Sequence, residues 1–239
     1  MPILTAKDLW VLETATTAYA LGLDRDGRLV HHYWGSCLPR VEDYQNQSYP
    51  DEFGSFNMPE NLAREEYPAY AGARYIEPCL KASFVDGVRD VVLKFVSAEV
   101  SADAQELQVH LHDRFYPLVL TLHFRLQPAY DLIERWVEIT NQGDTPVLIE
   151  RALSAQWHLP PGEKYRLTHL NGKYFDEMQI VREPLYPGIK VLESRRIATS
   201  HSHNPWFAVD RINASGATTD EHTGKVWFGA LAWSGNWKL

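Results

Sequence analysis

The stretch that decides the fold class is residues 118–126, which read Leu-Val-Leu-Thr-Leu-His-Phe-Arg-Leu. Every second side chain from Leu118 to Leu126 is apolar, and the side chains between them are mostly polar. A period of two is what a β-strand with one buried face requires. The run at 133–139 repeats this alternation after a turn-like stretch at 127–131. The two runs therefore predict neighbouring antiparallel strands joined by a short turn.

The same period recurs along most of the chain, whereas no window longer than about three turns shows a helical period. Asp24-Arg25-Asp26-Gly27-Arg28 has the composition of a hairpin turn, and Asn141-Gln142-Gly143-Asp144 is a second turn in which Gly143 can take a positive φ. Further strands are predicted at 10–23, 29–35, 107–111, 147–157 and 226–233. The sequence therefore predicts a mainly β protein built as a large antiparallel meander.

Composition excludes several classes of function. The 239 residues carry 23 Lys and Arg against 31 Asp and Glu, a formal net charge of −8, which argues against general binding of nucleic acid or anionic membranes. No stretch approaches the ~18 consecutive apolar residues of a transmembrane helix. The N-terminal stretch lacks the pattern of a signal peptide, and two cysteines do not make a disulfide framework. We therefore expect a cytoplasmic protein.

Residues 39–66 differ from the rest of the chain, since they are rich in proline and acidic residues and predict a long surface excursion. The adjacent carboxylates Glu65 and Glu66 are interpreted as part of a solvated acidic loop. Glycoside hydrolysis needs two carboxylates that face each other across a bond, and adjacent loop residues do not supply this arrangement. Most aromatic residues are expected in the core, with Phe53, Phe56 and Tyr70 as the candidates for exposure.

Histidine pairs are the remaining candidates for chemistry. Three pairs have spacings that a metal ion could share, namely His31-His32, His110-x-His112 and His201-x-His203. Each lacks a third ligand nearby in sequence, so no metal or other cofactor is expected. The nucleophile-elbow, Walker and dinucleotide-binding motifs are absent from the sequence. The residues alone therefore predict a β fold and no catalytic residue.

Four segments in order resemble the N-terminal domain of family 36 glycoside hydrolases, the bacterial and fungal α-galactosidases. These segments are Trp10–Gly35, Glu66-Tyr67-Pro68-Ala69-Tyr70, Glu193–Ala208 and Gly229–Trp237. The resemblance covers essentially the whole chain. It implies one N-terminal β-supersandwich domain over 1–239, with galactose mutarotase-like topology, that continues beyond residue 239.

The resemblance also implies a function. In the full enzymes this domain precedes a (β/α)8 barrel that carries two catalytic aspartates and hydrolyses α-galactosides with retention of configuration. The aspartates have no counterpart in this chain, so we expect it to be inactive alone. The implied partners are the catalytic barrel, an α-galactoside or other carbohydrate, and further copies of the chain in a homo-oligomer.

The resemblance implies three substrate-binding residues. Asp51 and Phe53 lie where family members carry a loop that reaches a neighbouring subunit, and Gly172 belongs to a Leu-x-Gly segment at the pocket rim. A carboxylate can accept sugar hydroxyl hydrogen bonds, and glycine lets the backbone approach a ligand closely. The sequence departs from the family at Tyr174, where Trp is common, and at 71–79, where the usual Asp-Phe-Arg is missing.

Two alternative functions stay open on the sequence. A free-standing carbohydrate-binding module would stack sugars on Phe53, Phe56 or Trp206. A mutarotase-like enzyme would use a histidine acid and a carboxylate base, for which His123 and Glu134 are candidates because both lie on predicted strands. The sequence lacks the mutarotase motifs that the second alternative needs.

Overall fold

The computed structural model describes residues 3–45, 63–71, 76–160, 164–197, 202–213, 216, 219–220 and 222–239. Strands dominate, and the two helices in the described part are short 3-10 turns at Val41–Tyr44 and Pro128–Tyr130. Every strand pair in the described sheets is antiparallel, which confirms the predicted fold class. No helix in these ranges is long and apolar enough to cross a membrane. The chain divides into two compact units, Met1–Pro160 and Pro161–Leu239.

Within its described residues, the first unit contains two four-stranded sheets and one strand pair. One sheet has the order β1-β2-β3-β4, the other has the order β6-β7-β8-β9, and β5 pairs with β10. Their bounds are β1 Ile3–Ala6, β2 Leu9–Glu13, β3 Thr17–Leu23, β4 Leu29–Ser36, β5 Leu80–Ser83, β6 Leu93–Val100, β7 Glu106–Asp113, β8 Leu118–Gln127, β9 Leu132–Asn141 and β10 Leu148–Ala152.

Strand β8 behaves as its alternation predicts. The inward positions, from Leu118 to Leu126 in steps of two, are all buried, and Leu122 lies opposite Val137 of β9. They join a core that also contains Tyr19 of β3 and Leu107 of β7. Burying one such leucine stabilises the fold by about 1.5–3 kcal/mol relative to leaving it in water. The apolar face of β8 is thus a main part of the core of the first unit.

Both predicted turns are present, but the glycine of the second turn, Gly143, has a different role from the predicted one. In the 24–28 turn, Gly27 has φ +74° and the Asp24 carboxylate accepts hydrogen bonds from the backbone N–H groups of Asp26 and Arg28. Gly143 does not have the positive φ that was expected. Instead, a Cβ at this position would lie 2.5 Å from Pro117 Cγ, so the glycine is required by close packing.

Some strand boundaries differ from the prediction. The predicted strand at 10–23 is two strands, because residues 14–16 form a turn whose N–H and hydroxyl groups are held by the carboxylate of Asp131. The predicted strand at 147–157 ends at Ala152, and the one at 226–233 ends at Ala230.

The part of the second unit that the structure describes contains a four-stranded sheet of order β12-β11-β14-β15 and a short pair formed by β13 and β16. Of these six strands only β15 was predicted from the sequence, because in the others polar and apolar residues are mixed or the strand is only two residues long. The bounds are β11 Lys164–Lys173, β12 Asp176–Leu185, β13 Glu193–Ser194, β14 Ser202–Ile212, β15 Val226–Ala230 and β16 Trp237–Lys238.

Candidate functional site

The segment at 63–71 contains the Glu-Tyr-Pro-Ala-Tyr motif and lies in the interior of the first unit. Backbone hydrogen bonds hold it against β4, from His31 N–H to Arg64 O at 2.8 Å and from Glu66 N–H to Leu29 O at 3.0 Å. Glu65 is 8% exposed and Glu66 is fully buried. The prediction that these two carboxylates belong to a solvated acidic loop is therefore wrong, because strand-like backbone bonds draw the segment into the core.

The carboxylate of Glu66 forms a buried ion pair and is contacted by two further polar side chains. Arg135 of β9 places its Nη1 atom 2.8 Å from Glu66 Oε2, and both side chains are at most 1% exposed. The hydroxyl of Tyr19 donates a hydrogen bond to Glu66 Oε1 at 2.7 Å. His31 Nδ1 lies 3.6 Å from the same oxygen. A charge this far from water is tolerated only when such partners compensate for its lost hydration.

The guanidinium of Arg135 links three parts of the first unit. It donates hydrogen bonds to the backbone carbonyl of Glu66 at 2.6 Å and to that of Gln156 at 2.8 Å. It also lies over the rings of Phe124, at 4.8 Å, and Trp157, at 5.3 Å. The five N–H groups of arginine and its flat shape suit it to such a junction. Arg135 therefore fixes the 63–71 segment to β9 and to the stretch after β10.

The sequence analysis did not identify Arg135, although one signal was present. Arg135 has the same parity as Ile133 and Val137, so the alternation of β9 places it on the apolar side. An arginine in an inward strand position needs a buried acidic partner. The sequence does not show which of 31 acidic residues that partner is.

The electrostatics of the cluster oppose proton transfer. Burial alone would raise the pKa of Glu66, but the charge of Arg135 and the contacts with His31 and Tyr19 outweigh it and lower the pKa to about 2. Burial, with the nearby Glu66 carboxylate, raises the pKa of Tyr19 well above 10. A general acid or base works best with a pKa near the operating pH. The cluster is therefore suited to holding structure and not to acid–base catalysis.

Two side chains beside the ion pair, Cys79 and His158, have pKa values that are shifted by burial. Burial raises the pKa of the Cys79 thiol to about 12. Burial lowers the pKa of His158, whose ring lies 5.5 Å from that of His31 and whose Nε2 atom is 3.0 Å from Glu65 O. Both groups are neutral near pH 7, which lowers the cost of packing them beside the ion pair.

The structure describes one of the three predicted substrate-binding residues. Asp51 and Phe53 lie outside the described residues, as does Phe56. Gly172 lies near the end of β11, where a Cβ would be 2.4 Å from Asp176 O and 2.7 Å from the Cα of Glu177. The glycine therefore lets the two strands of the β11–β12 hairpin approach closely.

His123 and Glu134, the residues of the mutarotase alternative, lie on one face of the β8–β9 pair. Each of them forms its ion pair with a different residue and not with the other. His123 Nε2 is 3.5 Å from Glu138 Oε1, and Glu134 Oε2 is 3.7 Å from Arg125 Nη1. The stacking candidate Trp206 is half-buried on β14. It borders a shallow apolar depression with Leu170 and Ile180.

The described histidines of the three predicted pairs have other partners, and His201 lies outside the described residues. His110 contacts the hydroxyl of Thr121 at 3.1 Å, His112 contacts the carbonyl of Asp113, and His31 belongs to the buried cluster. Among the residues that the structure describes, no group of three or more His, Cys, Asp or Glu side chains is arranged to hold a metal ion.

Comparison with known proteins identifies the family. The model of the glycosyl hydrolase family 36 N-terminal domain matches residues 27–239. The chain is 28% identical to α-galactosidase AgaA of Geobacillus stearothermophilus, over 94% of this chain and 33% of the relative. It is also 28% identical to α-galactosidase Mel36A of Lactobacillus acidophilus, over 95% of this chain and 34% of that relative. The chain thus spans about a third of the length of these relatives.

Solved structures agree with the sequence comparison. The crystal structure of the family 36 α-galactosidase AgaB from Geobacillus stearothermophilus superposes with a TM-score of 0.84 at 27% identity, over 99% of this chain and 35% of that chain. The structure of an AgaA variant in complex with raffinose has a TM-score of 0.83 at 27% identity, over 95% of this chain and 34% of that chain. The comparisons give no support to a free-standing binding module or a mutarotase. The chain therefore belongs to the glycosyl hydrolase family 36 N-terminal domain family.

Proposed function

We propose that the chain is the non-catalytic N-terminal β-sandwich domain of a retaining α-galactosidase. The observation that carries the proposal is the extent of the match, which covers nearly all of this chain and only a third of each relative. In this proposal residues 1–239 form one functional domain, and a separate (β/α)8 barrel supplies the two catalytic aspartates. The assembled enzyme removes terminal α-galactosyl groups, acts as a homo-oligomer and resides in the cytoplasm.

The domain contributes to the substrate pocket in this proposal. Asp51 accepts hydrogen bonds from sugar hydroxyl groups, Phe53 packs on the sugar ring, and the backbone at Gly172 approaches the substrate. The buried Glu66–Arg135 pair supports this role, because it fixes the 63–71 segment that follows the stretch containing Asp51 and Phe53.

An assay of hydrolysis tests the proposal. The isolated chain and a full-length family 36 enzyme are compared at equal molar concentration with an aryl α-galactoside. We expect release of the aryl alcohol by the full-length enzyme only, because this chain does not carry the barrel. Turnover by the isolated chain at a rate within the range of ordinary enzymes, roughly 1 per second or faster, would overturn the proposal.

The pocket residues are tested in the assembled enzyme. Asp51→Asn keeps the size of the side chain and removes its charge, so we expect a higher KM for the α-galactoside. Asp26→Asn, in the exposed 24–28 turn, is the matched control and should leave KM unchanged. An unchanged KM for D51N would remove Asp51 from the pocket.

A further inference from the structure

Trp136, on the outward face of the β6–β9 sheet, is flanked by polar groups. None of these residues belongs to the proposed substrate pocket. Trp136 of β9 lies opposite His123 of β8, and their rings are parallel, with 4° between the planes and 4.7 Å between the centroids. His123 is only 8% exposed, whereas the side chain of its neighbour Arg125 is 42% exposed. The indole ring therefore lies against the imidazole and shields it from water.

The stacking leaves one face of the indole ring directed away from the sheet interior. One ring face is against His123, so the opposite face points away from β8. Strand β9 is the last strand of its sheet in the described topology, and the Trp136 side chain is partly exposed. A partly exposed, flat aromatic ring at the edge of a sheet suits the apolar face of another molecule.

Polar side chains flank the ring along the strand. Glu134 and Glu138 are two residues before and after Trp136, so all three side chains share one face and are spaced by about 6.8 Å. The side chains of these two glutamates are 49% and 64% exposed. On the neighbouring strand, the guanidinium of Arg125 lies 5.1 Å from the indole centroid and contacts Glu106. Hydrogen-bond donors and acceptors therefore surround the ring.

The charges restrict the class of ligand. Glu134 and Glu138 flank the ring and Glu106 pairs with Arg125, so three carboxylates face one guanidinium in this region and an anion is repelled. The guanidinium of Arg125, 5.1 Å from the indole centroid, pairs with Glu106 and Glu134, so it offsets part of this negative charge and weakens the attraction of a cation. Sugar hydroxyl groups are neutral and both donate and accept hydrogen bonds, and the ring carbons of a sugar give an apolar face.

We propose that Trp136, flanked by Glu134, Glu138 and Arg125, forms a binding surface for a neutral saccharide. This surface uses none of the three residues of the proposed pocket and does not depend on catalysis by a barrel. Only the choice of α-galactosides as the first probes rests on the proposed function. The indole supplies the stacking contact, and Glu138 accepts hydrogen bonds from the sugar hydroxyl groups.

Titration of the chain tests the proposal. Methyl α-galactoside, raffinose and methyl α-glucoside are added up to roughly 50 mM and binding is followed by calorimetry and by saturation-transfer NMR. We expect saturable binding of at least one saccharide in the millimolar range. We expect W136A to weaken binding by about tenfold or more and E138Q to weaken it several-fold. Trp233→Ala is the matched control, because Trp233 is a 60% exposed tryptophan of the second unit, and it should bind like the wild type.

The remaining outcomes each decide the matter. Absence of binding by all three saccharides, or equal binding by W136A and the wild type, would overturn the proposal. Binding of tetramethylammonium without binding of any saccharide would assign the surface to cations instead. If W136A fails to fold, then E138Q and W136F, which keep the cross-strand ring pair, carry the test, and unchanged affinity in both would contradict it. If only the glucoside binds, the proposed saccharide surface is confirmed. The surface would then give no support to a protein that is specific for galactosides.

Discussion

At Glu66 a single carboxylate determines how a whole segment is packed. Its charge is compensated by Arg135 and its Oε1 atom accepts a hydrogen bond from Tyr19. A buried ion pair of this kind contributes little net stability compared with apolar residues of the same volume. Removal of one partner is costly, because the other charge stays buried. The pair therefore favours one packing position of the 63–71 segment over alternative positions that would separate the two charges.

Replacement of Arg135 tests this role. Arg135→Met keeps the length of the side chain and leaves the Glu66 charge unpaired, so we expect a loss of about 3–5 kcal/mol in the free energy of unfolding. Urea unfolding followed by tryptophan fluorescence measures it. Arg40→Met is the matched control, since Arg40 pairs with Asp43 at the surface and its removal should change stability little. Equal stability of R135M and R40M would contradict the role of the pair.

The same carboxylate predicts an acid-dependent loss of stability. The pKa of Glu66 is about 2 in the folded protein and has its ordinary value near 4.5 in the unfolded chain. A lowered folded-state pKa gives stability that is present above pH 4.5 and is lost as the pH falls toward 2. We expect the wild type to lose about 2 kcal/mol more than Glu66→Gln between pH 6 and pH 2.5, measured by urea unfolding at each pH. Parallel pH profiles for the two proteins would show that Glu66 is not paired as described.

A substitution at Gly172 can show whether glycine is needed there for packing of the hairpin or for the approach of a ligand. A Cβ at this position meets the backbone of Asp176 and Glu177, which cannot move aside as a side chain can. We therefore expect Gly172→Ala to destabilise the isolated chain by about 1–3 kcal/mol in the absence of any sugar. Chemical denaturation measures this change. An unchanged midpoint would mean that the hairpin relaxes easily and would leave ligand approach as the main reason for the glycine.

At the scale of elements, the hairpin between β11 and β12 shows that a tertiary fold can impose an unfavourable backbone. Phe175 has φ +68°, a left-handed conformation that costs a residue other than glycine or asparagine about 1–2 kcal/mol. Its side chain is 86% exposed, so burial does not offset this cost. Tyr174 beside it is 80% exposed and does not have a positive φ.

This difference between neighbours gives a stability prediction. Phe175→Asn should raise the free energy of unfolding by roughly 0.5–1 kcal/mol, because asparagine tolerates the left-handed region. Tyr174→Asn removes the same ring–ring contact from a residue with negative φ and should not stabilise the chain. Thermal unfolding of the two variants measures the difference. A lower melting temperature for F175N than for Y174N would contradict the explanation.

The strands with one buried face could be predicted from the sequence, and the others could not. In β8 a clean alternation of leucines with polar residues gives the strand, its buried face and its partner β9. In β11 the residues from Lys164 to Lys173 mix arginine, histidine and threonine with tyrosine and leucine, so no period marks the strand. Its position is set by pairing with its hairpin partner β12 and with β14, a strand distant in the chain that local patterns do not encode.

The candidate site was less accessible to sequence reasoning than the fold. Arg135 and Glu66 are 69 residues apart, and their pairing follows from how β9 and the 63–71 segment meet in the core. Adjacent acidic residues in a proline-rich region predicted solvent exposure, whereas backbone hydrogen bonds to β4 bury them. Gly172 was identified through the family resemblance, and the structure adds a packing reason for it.

At the scale of the whole molecule, the family assignment and the limited length of the match belong together. The relatives are about three times as long as this chain, and the described residues contain a buried ion pair instead of an arrangement suited to acid–base chemistry. In the proposed function, such a domain supports and shapes an enzyme whose reaction takes place on other residues. The saccharide surface around Trp136 would add a second contact with carbohydrate to that role.

Sequencing of the gene immediately beyond codon 239 tests whether this chain is, as proposed, the N-terminal domain of a larger α-galactosidase. We expect an open reading frame that continues for about twice the length of this chain and encodes a (β/α)8 barrel with two catalytic aspartates. A stop codon directly after Leu239, with no barrel encoded nearby, would contradict it.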